Sequence, residues 1–103
     1  MPFKQRELEQ LRASAADAAA LMRALGHDGR LLVLCTLVAK GECSAGELAQ
    51  QVGLSPSALS QHLAKLREDG LVDSRREAQS VYYRITEPRV ARVVALLKDL
   101  YCP

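Results

Sequence analysis

Three cysteines, Cys35, Cys43 and Cys102, supply the most reactive side chains of this 103-residue sequence. A thiolate can act as a nucleophile or a metal ligand, and two thiols that meet in a fold can be linked by oxidation. Because their number is odd, their spacing is wide and no CxxC pair occurs, they indicate neither a secreted disulfide framework nor a zinc or redox motif. Taken alone, Cys35 is typical of a small core residue, Cys102 of an exposed bystander, and Cys43 of a structural or incidental thiol.

A polar helix face is the second feature that could serve a chemical function. The segment 55–69 is predicted to be helical, and at about 100° per residue its leucines gather on one side, which leaves a small, polar opposite side. Such a face fits the DNA major groove, about 12 Å wide, where Gln61 could pair with adenine and Ala58 could contact a thymine methyl. Ser57 could bond to either kind of base edge, and Lys65 is expected to contact a phosphate.

Residues beside this face and in the following hairpin complete the predicted nucleic-acid surface. Ser60 is expected to bind backbone phosphate, whereas His62 is more typical of a packing or capping residue than of a base reader. Arginines of the hairpin can place a guanidinium against phosphate or in a narrow minor groove, with ion pairs to Asp73 or Glu77 as the alternative. The full predicted set is Ser55, Ser57, Ala58, Ser60, Gln61, His62, Lys65, Arg75, Arg76 and Arg84.

The elements that must position these residues follow from apolar periodicity. Apolar residues spaced alternately three and four apart, from Leu8 to Leu25, predict one N-terminal helix within residues 1–26. Its alanine-rich stripe fits either a partner helix or the domain's own core. Arg30 to Ala39 has almost no polar face, so we expect it to be the central buried helix.

A helix-turn-helix is predicted over residues 44–70. Ser44 and Glu47 match a capping box at the start of a short helix, and after a glycine turn Ser55-Pro56 supplies an N-cap and a proline at the first helical position. Such a pattern is more specific than either helix alone, but it also occurs in proteins that do not bind DNA.

A wing and a last helix are predicted to follow. Residues 71–85 contain two β-prone stretches, with Glu77-Ala78-Gln79 as the tip between them, and an apolar stripe predicts a helix over 87–102. The order of elements predicts one domain over residues 1–103, mainly α with a small β-hairpin. This is a winged helix-turn-helix flanked by terminal helices.

Composition agrees with an ordinary globular protein, with 49% hydrophobic and 25% charged residues. The net charge of +2 arises between Lys65 and Arg92, where seven basic and five acidic residues lie, a bias too small to indicate nucleic acid by itself. The longest uncharged apolar run, Leu31 to Ala39, is too short for a membrane span of about 20 residues, and residues 1–6 lead into no signal-peptide core. We expect a cytoplasmic protein without membrane partners. Dimerisation is also expected, because so small a domain buries a modest core.

The sequence resembles the ArsR/SmtB family of bacterial repressors, which are small, dimeric winged-helix proteins. The resemblance covers nearly all of the chain after Leu21 and rests on the segments GECSAGELA (41–49), LSPSALSQHL (54–63), LREDGLV (66–72) and RREAQ (75–79) followed by VYY (81–83). It implies a double-stranded DNA operator as partner and a homodimer built by the first and last helices. An enzyme is not expected, because Cys35 has no sequence partner that resembles a general base.

Departures from the family's metal-sensing patterns indicate that no metal or other cofactor is needed. One version of the family has cysteines at the positions of Ser44 and Gly46, and another uses Asp, His and Glu along the last helix, which here contains no histidine. Zinc requires four N, S or O ligands, and no recognised spacing supplies them. A metal- or metalloid-responsive repressor, with zinc or with arsenite on thiolates that include Cys43, stays open as an alternative.

Cys35 and Cys102, together with the ending LYCP (100–103), resemble instead the dithiol subgroup of the family, which responds to persulfides, sulfide-derived sulfur or oxidants. The resemblance implies a repressor that leaves its operator when the two thiols are joined, as a disulfide or through extra sulfur atoms. A direct disulfide requires Cα atoms about 4.4–6.8 Å apart. A protein-binding winged helix without a DNA role is the remaining alternative.

Overall fold

The computed structural model describes residues 2–102 and forms a winged helix-turn-helix, as the sequence predicts. The elements in chain order are α1 (Gln5–Ala13), α2 (Ala15–Leu25), α3 (Asp28–Lys40), β1 (Glu42–Ser44), α4 (Ala45–Val52), α5 (Pro56–Glu68), β2 (Val72–Glu77), β3 (Ser80–Ile85) and α6 (Pro88–Tyr101). The strands form one antiparallel sheet in the order β1-β3-β2, and α3, α4, α5 and α6 pack against it.

The N-terminal segment departs from the prediction of one continuous helix. Ser14, with φ −100° and ψ 4°, ends α1 and begins α2. Its N–H is shared between the carbonyls of Gln10 and Leu11, at 3.2 and 3.1 Å. Serine is a weaker helix former than the alanines beside it, and α1 has no buried residue whose packing would keep both segments on one axis. The single-helix prediction is therefore wrong at its middle, although both halves are helical.

The core is built around α3, which confirms the prediction of a central buried helix. Val33, Leu34 and Leu37 of this helix are at most 1% exposed. Apolar side chains from the other elements surround them and form one cluster. These residues are Ala24, Leu25, Cys43, Leu48, Leu59, Leu63, Leu66, Leu71, Val72, Val90 and Val94.

Both helices of the predicted helix-turn-helix begin at the caps that the sequence indicates. The hydroxyl of Ser44 accepts the N–H of Glu47 at 3.2 Å, and the N–H of Ser44 donates to the Glu47 carboxylate at 3.3 Å. The hydroxyl of Ser55 likewise accepts the N–H of Ala58 at 3.2 Å at the start of α5. Each such cap contributes about 1 kcal/mol to helix stability. The start of each helix is therefore fixed by short-range hydrogen bonds.

The sheet contains a strand that the sequence analysis missed. The two wing strands lie within a residue of their predicted positions, but β1 also pairs with β3, so that Cys43 lies opposite Tyr83. A three-residue Glu-Cys-Ser segment is too short to show the apolar alternation by which strands are recognised. β1 covers one edge of the wing and connects it to the end of α3.

The N-terminal helices make the molecule elongated. Its radius of gyration is 15.4 Å and its extents are 52 × 31 × 20 Å, whereas a compact domain of this length has a radius of about 13 Å. Large apolar side chains remain exposed on α1, α2 and α6, and they include Leu11, Met22, Leu96, Leu100 and Tyr101. A bilayer-crossing helix would need a longer apolar stretch than any helix within residues 2–102 offers.

Candidate DNA-reading surface and thiol pair

The outward side of α5 is the candidate reading surface. Leu59, Leu63 and Leu66 anchor the opposite side of this helix in the core, and each is at most 3% exposed. Towards the N-terminal end of α5 the exposed outward side chains are Ser57, Ser60, Gln61 and Ala64, whereas the longer Lys65, Arg67 and Glu68 are exposed towards its C-terminal end. Ala64 was missed by the sequence analysis, although its angular position lies between those of Ser57 and Ser60. The low profile of this N-terminal part allows the helix backbone to approach a groove closely.

Three other predicted residues of this helix region are partly engaged within the protein. The Ser55 hydroxyl caps α5, and Ala58 is half-buried. The ammonium of Lys65 lies 3.5 Å from the carboxylate of Asp69 and 4.0 Å from that of Glu68. Exposed pairs of this kind contribute little to stability, so Lys65 can exchange a carboxylate for a phosphate at small cost.

His62 lies on the flank of α5 and packs against the start of α3. Its ring centroid is 4.6 Å from that of His27, whose Nδ1 accepts the N–H of Gly29 at 3.1 Å and so caps α3. A Cβ atom added at Gly29 would lie 2.8 Å from His62 Nε2, so the close packing depends on glycine. Burial, and then the charges of His27 and Arg30, lower the pKa of His62. The structure thus shows a packing contact for this predicted residue.

Arg75 of the wing is paired with two carboxylates, although 48% of its side chain stays exposed. It donates to the Glu42 carboxylate from Nε at 3.0 Å and from Nη2 at 2.7 Å, and to Glu77 from Nη1 at 2.7 Å. Its guanidinium carbon also lies 4.7 Å from the centroid of the Tyr82 ring. The hydrogen bonds from Arg75 to Glu42 lower the pKa of the Glu42 carboxyl.

Arg76 and Arg84 of the wing have a different environment. Both side chains are exposed. Within residues 2–102, no carboxylate lies within 4.0 Å of either guanidinium. They are therefore the wing cations that can accept a phosphate without losing an existing ion pair.

The two elements that carry Cys35 and Cys102 are in contact, because α6 packs against α3. Cys35 is half-buried on α3, Cys102 is exposed as the C-cap of α6, and both are free thiols. Burial raises the pKa of Cys35, and the negative charge of the Cys102 thiolate raises it further.

Cys43 occupies a separate position in the core. It is fully buried in β1, and burial followed by the charge of Glu47 raises its pKa. Nowhere in residues 2–102 do three or more His, Cys, Asp or Glu side chains converge in a way that could hold a metal ion. The geometry therefore gives no support to a three-thiolate site that includes Cys43.

A winged helix-turn-helix whose second helix has a polar outward side is typical of DNA-binding transcriptional regulators. Residues 27–74 match the family described as bacterial regulatory protein, arsR family. The chain is also 53% identical over 97 residues to the HTH-type transcriptional regulator YgaV of Escherichia coli K12, across 94% of this chain and 98% of that protein. The chain belongs to the ArsR family of bacterial regulators.

Two solved structures resemble the chain over nearly its whole length. Reduced HlyU from Vibrio cholerae N16961 has a TM-score of 0.84 and 44% identity, covering 92% of this chain and 99% of that one. The transcriptional repressor BigR from Xylella fastidiosa has a TM-score of 0.87 and 39% identity, covering 98% of this chain and 99% of that one. The fold prediction is confirmed, and the chain is a transcriptional regulator rather than an enzyme.

Proposed function

We propose that the protein is a homodimeric repressor that binds a double-stranded DNA operator in the cytoplasm when reduced and leaves it when Cys35 and Cys102 are linked. The observation that carries this proposal is the packing of α3, which holds a half-buried thiol, against α6, which ends at an exposed thiol. BigR is named a repressor, which favours repression. HlyU of Vibrio cholerae is named an activator, so the sign of regulation must be tested.

The homodimer is proposed from the apolar side chains that α1, α2 and α6 leave uncovered. Met22 is 63% and Tyr101 is 79% exposed, and Leu11, Leu96 and Leu100 are also at the surface. Exposed apolar surface on this scale marks contact with another chain, and a second copy supplies a matching apolar surface. A two-fold dimer would place its two α5 helices in successive major grooves, about 34 Å apart.

The reading surface is proposed to divide base recognition from phosphate contact. Gln61 and Ser57 face the base edges, where an amide pairs with adenine in two hydrogen bonds. Lys65, Arg76 and Arg84 contact phosphates and hold the helix in register. The rim of this surface comprises Ser55, Ala58, Ser60 and His62.

The different exposure of the two thiols sets the order in which they react. The exposed Cys102 thiolate attacks a persulfide R–S–SH at its outer sulfur, which forms Cys102–S–SH and releases RS⁻. The Cys35 thiolate then attacks the inner sulfur of Cys102–S–SH, which forms the disulfide and expels HS⁻. Because burial raises the pKa of Cys35 whereas Cys102 is exposed, Cys102 is the thiol that reacts first.

Linkage would affect DNA binding through α6. A covalent bond draws the end of α6 onto α3, and α6 belongs to the proposed dimer interface. A change there alters the spacing of the two α5 helices. A coupling free energy of about 1–3 kcal/mol between the thiols and the operator corresponds to roughly 5- to 150-fold weaker binding.

The test combines intact mass with binding to a fluorescent duplex, selected by the reduced protein from a random-sequence pool. After treatment with glutathione persulfide, we expect an intramolecular crosslink, roughly 5- to 150-fold weaker binding and recovery with dithiothreitol. Cys43→Ser should behave like the wild type, whereas Cys35→Ser and Cys102→Ser should stay bound. A crosslink without loss of affinity, or no crosslink, would refute the switch. Arsenite binding that is lost in Cys43→Ser would support the metalloid alternative instead.

A further inference from the structure

The outward face of the sheet has Arg75 at its centre, in contact with all three strands. Arg75 extends from β2, its guanidinium carbon lies 4.7 Å from the centroid of the Tyr82 ring of β3, and it pairs with Glu42 of β1 through N–O distances of 3.0 and 2.7 Å. In the register, Arg75 lies opposite Tyr82, so the ion pair reaches across β3 to β1. The side chain of Arg75 therefore connects all three strands of the sheet.

The geometry of this contact fixes orientation. A two-point pair between a guanidinium and a carboxylate holds both groups in one plane, and the aromatic ring defines the side from which the guanidinium approaches. Exposed ion pairs add little to overall stability. The main effect of such a contact is thus to define the angle between the strands that carry it.

The charges around Arg75 make it a poor partner for phosphate. Each of its three nitrogens donates to a carboxylate, two of them to Glu42 and one to Glu77, so two negative groups surround one positive group. Binding of DNA would displace at least one of these hydrogen bonds or bring a phosphate towards two carboxylates. Arg76, the next residue along β2, points to the other side of the strand and has no carboxylate within 4.0 Å among residues 2–102.

We propose that Arg75 is a positioning residue of the wing and not a DNA contact, and that its contact with Glu42 fixes the hairpin relative to the reading helices so that Arg76 reaches the DNA backbone. β1 runs directly into α4, so the contact joins the wing to the first helix of the helix-turn-helix. The DNA-binding part of this inference rests on the proposed function.

The first experiment measures duplex affinity against salt concentration for Arg75→Ala, with Arg76→Ala as the matched neighbour. Loss of a phosphate contact lowers the slope of log K against log salt by about one per wing, and we expect this for Arg76→Ala. Arg75→Ala should weaken binding by roughly 5-fold with the slope unchanged, and the double variant with Glu42→Gln should bind no worse than Arg75→Ala.

The two possible roles of Arg75, positioning and phosphate contact, predict opposite changes in duplex affinity for Glu42→Gln. If Arg75 positions the wing, removing its carboxylate partner weakens binding; if Arg75 contacts phosphate, removing a competing carboxylate strengthens it. Asp73→Asn is the control, because Asp73 of β2 lies opposite Arg84 in the register, as Glu42 does, but pairs with Arg67 and not with Arg75. A reduced salt slope for Arg75→Ala, or tighter binding for Glu42→Gln than for Asp73→Asn, would overturn the inference while leaving operator binding intact.

The second experiment uses the free protein and does not depend on DNA binding. Hydrogen exchange of the backbone amides between β1 and β3 should be faster in Arg75→Ala and Glu42→Gln than in the wild type, and unchanged in Arg76→Ala. Equal exchange in all variants would show that Arg75 does not hold the strands. If wild-type protein binds no duplex, the proposed function fails, and this measurement still decides whether Arg75 braces the sheet.

Discussion

The outward side of α5 and the outward face of the sheet are both polar and exposed, yet they differ in what their side chains already bind. On α5, Ser57, Ser60 and Gln61 have no side-chain hydrogen-bond partner within the described chain. On the sheet, Arg75 already donates hydrogen bonds to Glu42 and Glu77 and lies against the Tyr82 ring. Exposure alone therefore does not identify a DNA contact. The useful criterion is hydrogen-bonding capacity that the fold leaves unused.

The largest effect is expected on the buried side of α5. Leu66 is fully buried, so Leu66→Ala should lower the free energy of unfolding by about 3 kcal/mol through lost burial and the cavity left behind. Ala64→Ser, on the exposed side of the same helix, should change it by less than about 0.5 kcal/mol. Urea denaturation measures both. Similar losses for the two variants would mean that α5 is not anchored as described.

Gln61 tests the reading side of the same helix. Gln61→Ala should reduce discrimination at one base pair by about 1–3 kcal/mol, because an amide that pairs with adenine is lost. Lys65→Ala should instead weaken binding to all sequences alike and reduce the salt slope by about one. Competition between the selected duplex and a scrambled duplex separates the two effects. Equal losses on both duplexes for Gln61→Ala would remove it from the role of base reader.

His62, on the flank of α5 that packs against α3, is expected to have a smaller, pH-dependent effect on the free energy of unfolding. Its pKa is lowered in the folded state by burial, so below its ordinary value of about 6.5 the unfolded chain binds a proton more readily than the folded one. The free energy of unfolding should thus be highest above about pH 6.5 and decrease as the pH falls towards the lowered pKa. In His62→Gln this component should be absent. A pH profile identical in the variant and the wild type would contradict the assignment.

The tip of the wing provides the smallest expected change. Ala78 adopts φ 55°, a left-handed conformation that costs an L-residue roughly 1–2 kcal/mol and glycine almost nothing. Glycine loses roughly 0.5–1 kcal/mol more in chain entropy, so Ala78→Gly should raise the free energy of unfolding by about 0.5 kcal/mol. Gln79→Gly is the comparison and should lower it. A loss of stability in Ala78→Gly would show that the tip is not strained.

Short-range signals account for the parts of the fold that could be predicted. The capping box at Ser44, the cap at Ser55 and the stripe of α6 each involve residues a few positions apart, and each element appears where these signals place it. The break at Ser14 and the strand β1 were missed for different reasons. The first depends on α1 having nothing to pack against, and the second on pairing with a strand much later in the chain.

The candidate site shows the same division between local and distant information. The polar side of α5 followed from helical geometry, and the hairpin arginines from the pattern of the wing. The partner of Arg75 could not be predicted, because Glu42 lies 33 residues away in sequence and meets it only across a third strand. His62 was predicted to be a packing residue by its type, but His27 and Gly29 as its neighbours emerge only from the packing of α5 on α3.

The junction between α3 and β1 has a mechanical consequence. Helix α3, which carries Cys35, ends at Lys40, and the first residue of β1 is Glu42, so a single residue separates the helix from the ladder that holds the wing. That residue is Gly41, with φ 85°, a torsion that side-chain-bearing residues rarely adopt. The connection is too short to absorb a displacement of α3 along its axis. Such a displacement must either twist this one glycine or tilt the hairpin.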